Sequence, residues 1–248
     1  MCLMKKWLQF RWWKLLILII VLLGLGMSIY LNPYTPDARA LEAMKGGNGI
    51  TVSEENQWIQ FDPEKPRGAN VILYPGALVE PESYAPMAKE LATQGHRTYI
   101  VKMPLNLAVL GGDRADAILT KEPNETFVIG GHSLGGVMAS RYAANHSDRF
   151  AGVFFLASYP DSKGSLLATD LSVLSLTGSD DGVLKKDTYE SSKSYLPQDA
   201  EYFAIEGGNH AQFGSYGAQK GDNPARITPE VQLQKMVEKL TEWINRLK

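Results

Sequence analysis

From Val71 to the C-terminus, short apolar runs alternate with segments whose apolar residues recur at helical spacing. Val71-Ile-Leu-Tyr74, Arg97-Thr-Tyr-Ile-Val101, Phe127-Val-Ile129, Gly152-Val-Phe-Phe-Leu156, Leu171-Ser-Val-Leu-Ser-Leu176 and Glu201-Tyr-Phe-Ala-Ile205 read as strands. Between and after them, 84–94, 113–121, 137–144, 184–195 and 229–247 read as helices, with Asp113 as the N-cap of the second. Strands joined through helices need crossover connections. The pattern therefore predicts an α/β fold: a doubly wound, mostly parallel sheet flanked by helices. Ahead of it, Ile50-Thr-Val52 and Gln57-Trp-Ile-Gln-Phe61 predict an opening hairpin. In the last helix, Val231, Met236, Val237, Leu240, Trp243, Ile244 and Leu247 supply the apolar side. A length of 248 residues suits one such domain, and no stretch remains to build a second core.

In an open parallel sheet, ligands bind beyond the carboxyl ends of the strands. Four such ends carry chemistry. After Tyr74 comes Pro75-Gly-Ala77. After Ile129 comes Gly130-Gly-His-Ser-Leu-Gly-Gly136. After Leu176 comes Thr177-Gly-Ser-Asp-Asp-Gly182, and after Ile205 comes Glu206-Gly-Gly-Asn-His210. The second contains G-x-S-x-G, a strand–turn–helix that lifts Ser133 clear of the sheet, with Gly131 and Gly135 leaving room where a Cβ would clash. The plain alternative is a glycine-rich turn with a solvent-facing serine.

A serine hydroxyl needs a neighbouring base, and that base needs a carboxylate to fix its tautomer. His210 is the candidate base, because His96 precedes a strand, His132 is held inside the turn and His146 ends the following helix. A structural loop histidine is the alternative. Asp180 and Asp181 compete as the acid, and the spacing from Gly178 favours Asp181. Leu134, following the serine at a helix N-terminus, offers one N–H to a developing oxyanion; Ala77 offers a second, with Gly76 allowing close approach. Gly76, His132 and Phe213 are candidates for contact with substrate. The long stretch 211–227 forms either a pocket wall or a loop packed on itself. Glu80, Glu82 and Tyr84 line a rim or form a solvated face.

The ordered set Gly131-His-Ser-Leu-Gly-Gly136, Gly178-Ser-Asp-Asp-Gly182 and Asn209-His210 resembles the α/β-hydrolase superfamily. Tyr74-Pro-Gly76, Gly130–Gly136 and Gly207–Gly214 resemble more narrowly a compact bacterial group of dienelactone-hydrolase-like esterases. The resemblance implies the doubly wound fold, a Ser133–His210–Asp181 triad, and acyl-enzyme hydrolysis of carboxylic esters without metal or organic cofactor. True dienelactone hydrolases carry Cys at the elbow, so Ser133 argues against that particular substrate. The span from Ser133 to Asp181 is filled by a helix and two strands and has no room for a lid, which suits small or accessible acyl substrates. The rival expectations are an amidase or thioesterase acting on cell-envelope material, and a non-catalytic surface-binding protein on the same fold.

The N-terminus differs in kind. Leu15 to Leu31 carries no charge and, as a helix, would span about 25 Å. Lys5, Lys6, Arg11 and Lys14 precede it, Trp7, Trp12 and Trp13 flank its start, and no acid occurs before Asp37. That arrangement predicts an uncleaved single-pass membrane anchor (residues 1–31), a linker (32–49) and an extracytoplasmic catalytic domain (50–248). A cleaved signal peptide, secreting the same domain, is the alternative. With those four cations set aside, the formal charge of −2 becomes more negative still, giving no footprint for nucleic acid. Cys2 is the single cysteine, so no internal disulfide can form and a Cys/His metal site is not indicated.

Overall fold

A computed structural model of the chain describes residues 12–22, 24, 26 and 32–247. The chain divides into two units, Met1–Pro33 and Tyr34–Lys248. In the first, residues 12–22 are helical. Among the described residues no helix is long and apolar enough to cross a membrane. The expected span Leu15 to Leu31 lies partly outside the described residues, as does the basic segment that precedes it, except Lys14.

The second unit is an α/β sandwich. Its eight strands are β1 (Ile50–Glu54), β2 (Trp58–Pro63), β3 (Asn70–Tyr74), β4 (Thr98–Val101), β5 (Phe127–His132), β6 (Gly152–Leu156), β7 (Ser172–Gly178) and β8 (Glu201–Ile205). They form one sheet in the order β1-β2-β4-β3-β5-β6-β7-β8. The β1–β2 hairpin is antiparallel, and β2 meets β4 antiparallel; every pairing from β4 to β8 is parallel. The parallel strands from β3 to β6 are buried on both faces, which is why they appear as unbroken apolar runs.

The helices are α1 (Ala38–Ala43), α2 (Ala85–Thr93), α3 (Ala115–Lys121), α4 (Leu134–Asn145), α5 (Lys186–Ser192) and α6 (Pro229–Ile244). Alternate residues of each strand feed two cores. Val71, Leu73, Phe154 and Leu156 face Met87 and Leu91 of α2 and Met236, Leu240 and Trp243 of α6. Ile72, Tyr74, Val153 and Phe155 face Ile118 of α3 and Ala139 and Tyr142 of α4. Full burial of a side chain such as Phe154 stabilises the fold by about 1.5–3 kcal/mol.

Three details depart from the sequence-based expectations. Asp113 does not cap α3; its carbonyl accepts from Asp116 N–H, and the N-cap position falls to Arg114. Val231 is exposed on α6, and the neighbouring Gln232 is fully buried instead. Residues 34–49, read as a linker, belong to the second unit: Asp37 caps α1 through Arg39 N–H and Ala40 N–H, and the small Ala40 and Ala43 are buried.

Candidate active site

β5 occupies the middle of the sheet, between β3 and β6. Its last residue, His132, is followed by Ser133 with φ 51° and ψ −123°, and α4 starts at Leu134. A left-handed φ on a non-glycine residue costs on the order of 1–3 kcal/mol and persists only where its surroundings hold it. Ser133 is held on both sides: its N–H donates to Leu156 O at 3.0 Å, and its carbonyl accepts from Gly136 N–H at 3.1 Å and from Ser158 Oγ at 2.6 Å. The turn also requires Gly135, because a Cβ there would run into the carbonyls of Tyr74 and Pro75.

β7 and β8 run parallel to β5, so the loops that follow them emerge at the same edge. Asp181 and His210, on those loops, make a buried pair: His210 Nδ1 lies 2.8 Å from Asp181 Oδ2, and both side chains are almost fully covered. The other oxygen, Asp181 Oδ1, accepts from Val183 N–H and Leu184 N–H, each at 2.8 Å, so the carboxylate is fixed at both ends. A carboxylate only accepts, hence Nδ1 carries the proton and Nε2 is the open ring atom. His210 Nε2 is buried without a hydrogen-bond partner among the described residues.

Asp180 is engaged elsewhere. It meets Arg226 Nε at 2.7 Å on the surface, and that guanidinium holds its carboxyl below the ordinary range. The choice between the two neighbouring aspartates is thus a matter of which way each points.

Ser133 and His210 line one cavity of about 230 Å³. Leu134, Val137, Ala157, Val183 and Leu184 give it an apolar wall, and Ser158, Tyr159 and Lys185 add polar groups. Leu134 N–H has no hydrogen-bond partner among the described residues, and neither has Ala77 N–H, although Ala77, unlike Leu134, does not line the cavity. Leu78, next to Ala77, is also left-handed at φ 57°, with its N–H on Asn106 O at 2.7 Å. Two strained turns therefore bear the two free N–H groups.

Gly76, His132 and Phe213, the expected substrate contacts, do not line this cavity. His132 and Phe213 are each 1% exposed and stack with ring centroids 6.0 Å apart. Gly76 N–H is taken by the Tyr84 hydroxyl at 2.9 Å. Apolar and small residues at a buried strand end pack downward as readily as they face a pocket. Residues 211–227 likewise add nothing to the cavity wall. They brace the histidine and aspartate loops instead. Asp222 Oδ2 accepts from Ala211 N–H at 2.8 Å, and its Oδ1 accepts from Gly182 N–H at 2.9 Å.

Tyr84, Asp222 and Gln232 were missed as framework for the site, since each acts through contacts distant in sequence. Burial holds the Tyr84 phenol above its ordinary pKa and, with the nearby His210 a lesser cause, holds His132 well below its own, so both are neutral. Among the described residues no three His, Cys, Asp or Glu side chains cluster as metal ligands.

No curated protein matches the chain. Among solved structures it is similar to a predicted CIB-like hydrolase from Thermoplasma acidophilum (TM-score 0.59, 16% identity, 78% of this chain and 100% of that one). It is similar also to a dienelactone hydrolase from Anabaena variabilis (TM-score 0.59, 16% identity, 81% and 99%) and to a thermophilic esterase from Thermogutta terrifontis (TM-score 0.57, 14% identity, 79% and 97%). At such identities the likeness is one of fold. The family model for the alpha/beta hydrolase family matches residues 70–234, from the start of β3 into α6 and so across the elbow and both partner loops. The chain belongs to the alpha/beta hydrolase family.

Proposed function

We propose that this chain is a serine hydrolase that cleaves small carboxylic esters through an acyl-enzyme. The observation that carries the reading is the buried His210–Asp181 pair, whose open Nε2 shares a cavity with Ser133 on a strained elbow. In this reading Ser133 Oγ attacks the ester carbonyl as His210 Nε2 takes its proton. Asp181 keeps the imidazole in the Nδ1–H tautomer and stabilises the imidazolium. Leu134 N–H and Ala77 N–H receive the oxyanion. Collapse breaks the ester C–O bond, and the proton leaves from His210 with the alcohol. Water then repeats the sequence on the acyl-enzyme and frees the acid.

The cavity volume supports a small acyl group, since sites for drug-sized ligands run to roughly 300–1,000 Å³. The neighbouring folds include an esterase and a dienelactone hydrolase, which supports ester substrates over other acyl groups. The test is hydrolysis of short-chain nitrophenyl esters by the full chain, Ser133→Ala and His210→Ala, with fluorophosphonate labelling. Equal rates in all three, or labelling that survives Ser133→Ala, would end the proposal.

The uncharged stretch 15–31 behind four cations supports a second element, a single-pass anchor with the hydrolase unit outside the cytoplasm. Alkaline carbonate extraction of membranes tests it; release of the intact chain into the supernatant refutes it.

A further inference from the structure

Two parallel strands meet where the nucleophile turn and the donor turn begin. β3 pairs with β5 up to Tyr74 and Gly131, and the next residue on the β3 side is Pro75, which has no N–H to extend the ladder. Gly76 carries the first N–H beyond the paired strands, and Ala77 follows it. Gly76 N–H reaches the Tyr84 hydroxyl at 2.9 Å, and the same oxygen lies 2.8 Å from His132 Nδ1. An N–H only donates, so the Tyr84 oxygen accepts from Gly76. The same oxygen bonds His132 Nδ1 in either tautomer: it gives its own hydrogen when the imidazole proton is on Nε2 and accepts a second one when that proton is on Nδ1. Tyr84 and His132 are each 1% exposed, so water does not compete for these bonds. A Cβ on Gly76 would stand 2.8 Å from His132 Nδ1 and 3.1 Å from the Tyr84 oxygen. The backbone is drawn against the pair with no space to spare.

We propose that the Tyr84 hydroxyl is a positioning group which, by bonding Gly76 N–H and His132 Nδ1 together, sets the separation of the Ala77 and Leu134 N–H groups. Ala77 is one residue beyond Gly76, and Leu134 is two residues beyond His132. The hydroxyl thus couples the two turns one residue behind Ala77 and two behind Leu134, the groups that would hold an oxyanion. The inference rests on the proposed acyl transfer. His132 has a second part in it. Its ring centroid lies 4.6 Å from that of His210, and it stays neutral, so it adds no positive charge beside His210 when that ring accepts a proton.

The experiment compares full-length wild type with Tyr84→Phe, His132→Asn and His132→Leu, with Ser133→Ala as the inactive reference. Phe keeps the ring and removes the bridge. Asn places a carboxamide, able to accept or donate, near the position of Nδ1, whereas Leu fills the space without a polar partner. Tyr84→Phe should lower kcat on a nitrophenyl acetate by about 10- to 100-fold with KM nearly unchanged. Affinity for an alkyl boronic acid, whose serine adduct is tetrahedral and anionic, should fall by the same factor. His132→Asn should retain at least about tenfold more kcat than His132→Leu, the reverse of what burial alone would favour. The proposal is overturned if Tyr84→Phe keeps wild-type kcat and boronate affinity, if its loss appears in KM, or if the leucine variant equals the asparagine one. An unaltered Tyr84→Phe beside an inactive Ser133→Ala would sink this inference alone. A wild type no faster than Ser133→Ala would sink the hydrolase reading with it.

Discussion

Gln232 and Asn209 pair through two opposed hydrogen bonds: Asn209 N–H donates to Gln232 Oε1 at 3.0 Å, and Gln232 Nε2 donates to Asn209 O at 2.9 Å. The side chain of α6 thereby satisfies the backbone of the residue just before His210. Gln232 has no exposed surface, so neither bond is shared with water. Gln232→Leu would leave an N–H and a C=O buried and unpaired, at about 1–3 kcal/mol each. Urea unfolding should show a loss of about 2–5 kcal/mol, with kcat reduced further than KM is raised. A loss under about 0.5 kcal/mol would show that the pair is dispensable.

The two adjacent aspartates should separate cleanly. Asp181→Asn removes the charge behind His210 and favours the wrong tautomer, so kcat should fall by about 10³- to 10⁴-fold. Asp180→Asn breaks a surface pair with Arg226 and should leave the rate within about twofold. Steady-state kinetics on both variants checks this, and a reversed order would reassign the acid.

Acid should weaken the fold through its buried neutral histidines. Burial lowers the pKa of His132 and of His96, whose Nδ1 lies 3.0 Å from Ala69 O. In the unfolded chain both titrate near pH 6.5. Above that pH they are neutral in both states and cost nothing. As pH falls below it, the unfolded chain binds protons that the folded one refuses, and stability drops by at most about 1.4 kcal/mol per pH unit for each. Chemical unfolding from pH 7.5 to 5.5 should show this fall, and His96→Asn, away from the site, should flatten it.

Acyl-chain preference should follow the cavity wall. Val137 and Leu184 face the same 230 Å³ space as Ser133. Val137→Ala and Leu184→Ala enlarge it, so the ratio of octanoate to acetate hydrolysis should rise by about 10-fold or less, the scale of one or two methylenes. A nitrophenyl ester series from C2 to C8 reads this directly; an unchanged ratio in both variants would place the acyl group elsewhere.

The sheet was readable because parallel strands buried on both faces leave apolar runs such as Val71–Leu73 and Val153–Leu156, with little competing signal. The placement of Ser133, Asp181 and His210 at one edge of the sheet was readable because each stands just beyond such a run. What lies under the site was not. Phe213 reads the same whether it faces a pocket or packs beneath it. Gln232 sits one position from Val231, and helical periodicity near the start of α6 does not settle which of the two turns inward. Tyr84 came under notice as the start of a helix and as a rim or solvated-face residue, although its hydroxyl is buried between Gly76 and His132. Buried polar partners are chosen by the assembled fold, and local pattern carries little trace of them. Residues 34–49 escaped for a related reason: Pro, Gly and Ala suggest a passing tether, yet small side chains also pack closely, as Ala40 and Ala43 do.

Tyr34, the first residue of the hydrolase unit, bridges Val79, donates its N–H to Leu78 O at 2.7 Å and accepts from Glu80 N–H at 3.0 Å. Its ring packs 5.4 Å from that of Tyr216, and its hydroxyl accepts from Lys220 N–H. One residue thus clasps the turn that bears Ala77 and the segment that braces His210. Mechanical load on the preceding chain would arrive first at this clasp, where Tyr34 joins the turn of Leu78 and Glu80 to Tyr216 and Lys220. Any shortened or fused version of the protein that begins later than Tyr34 loses that clasp while keeping every residue of the elbow.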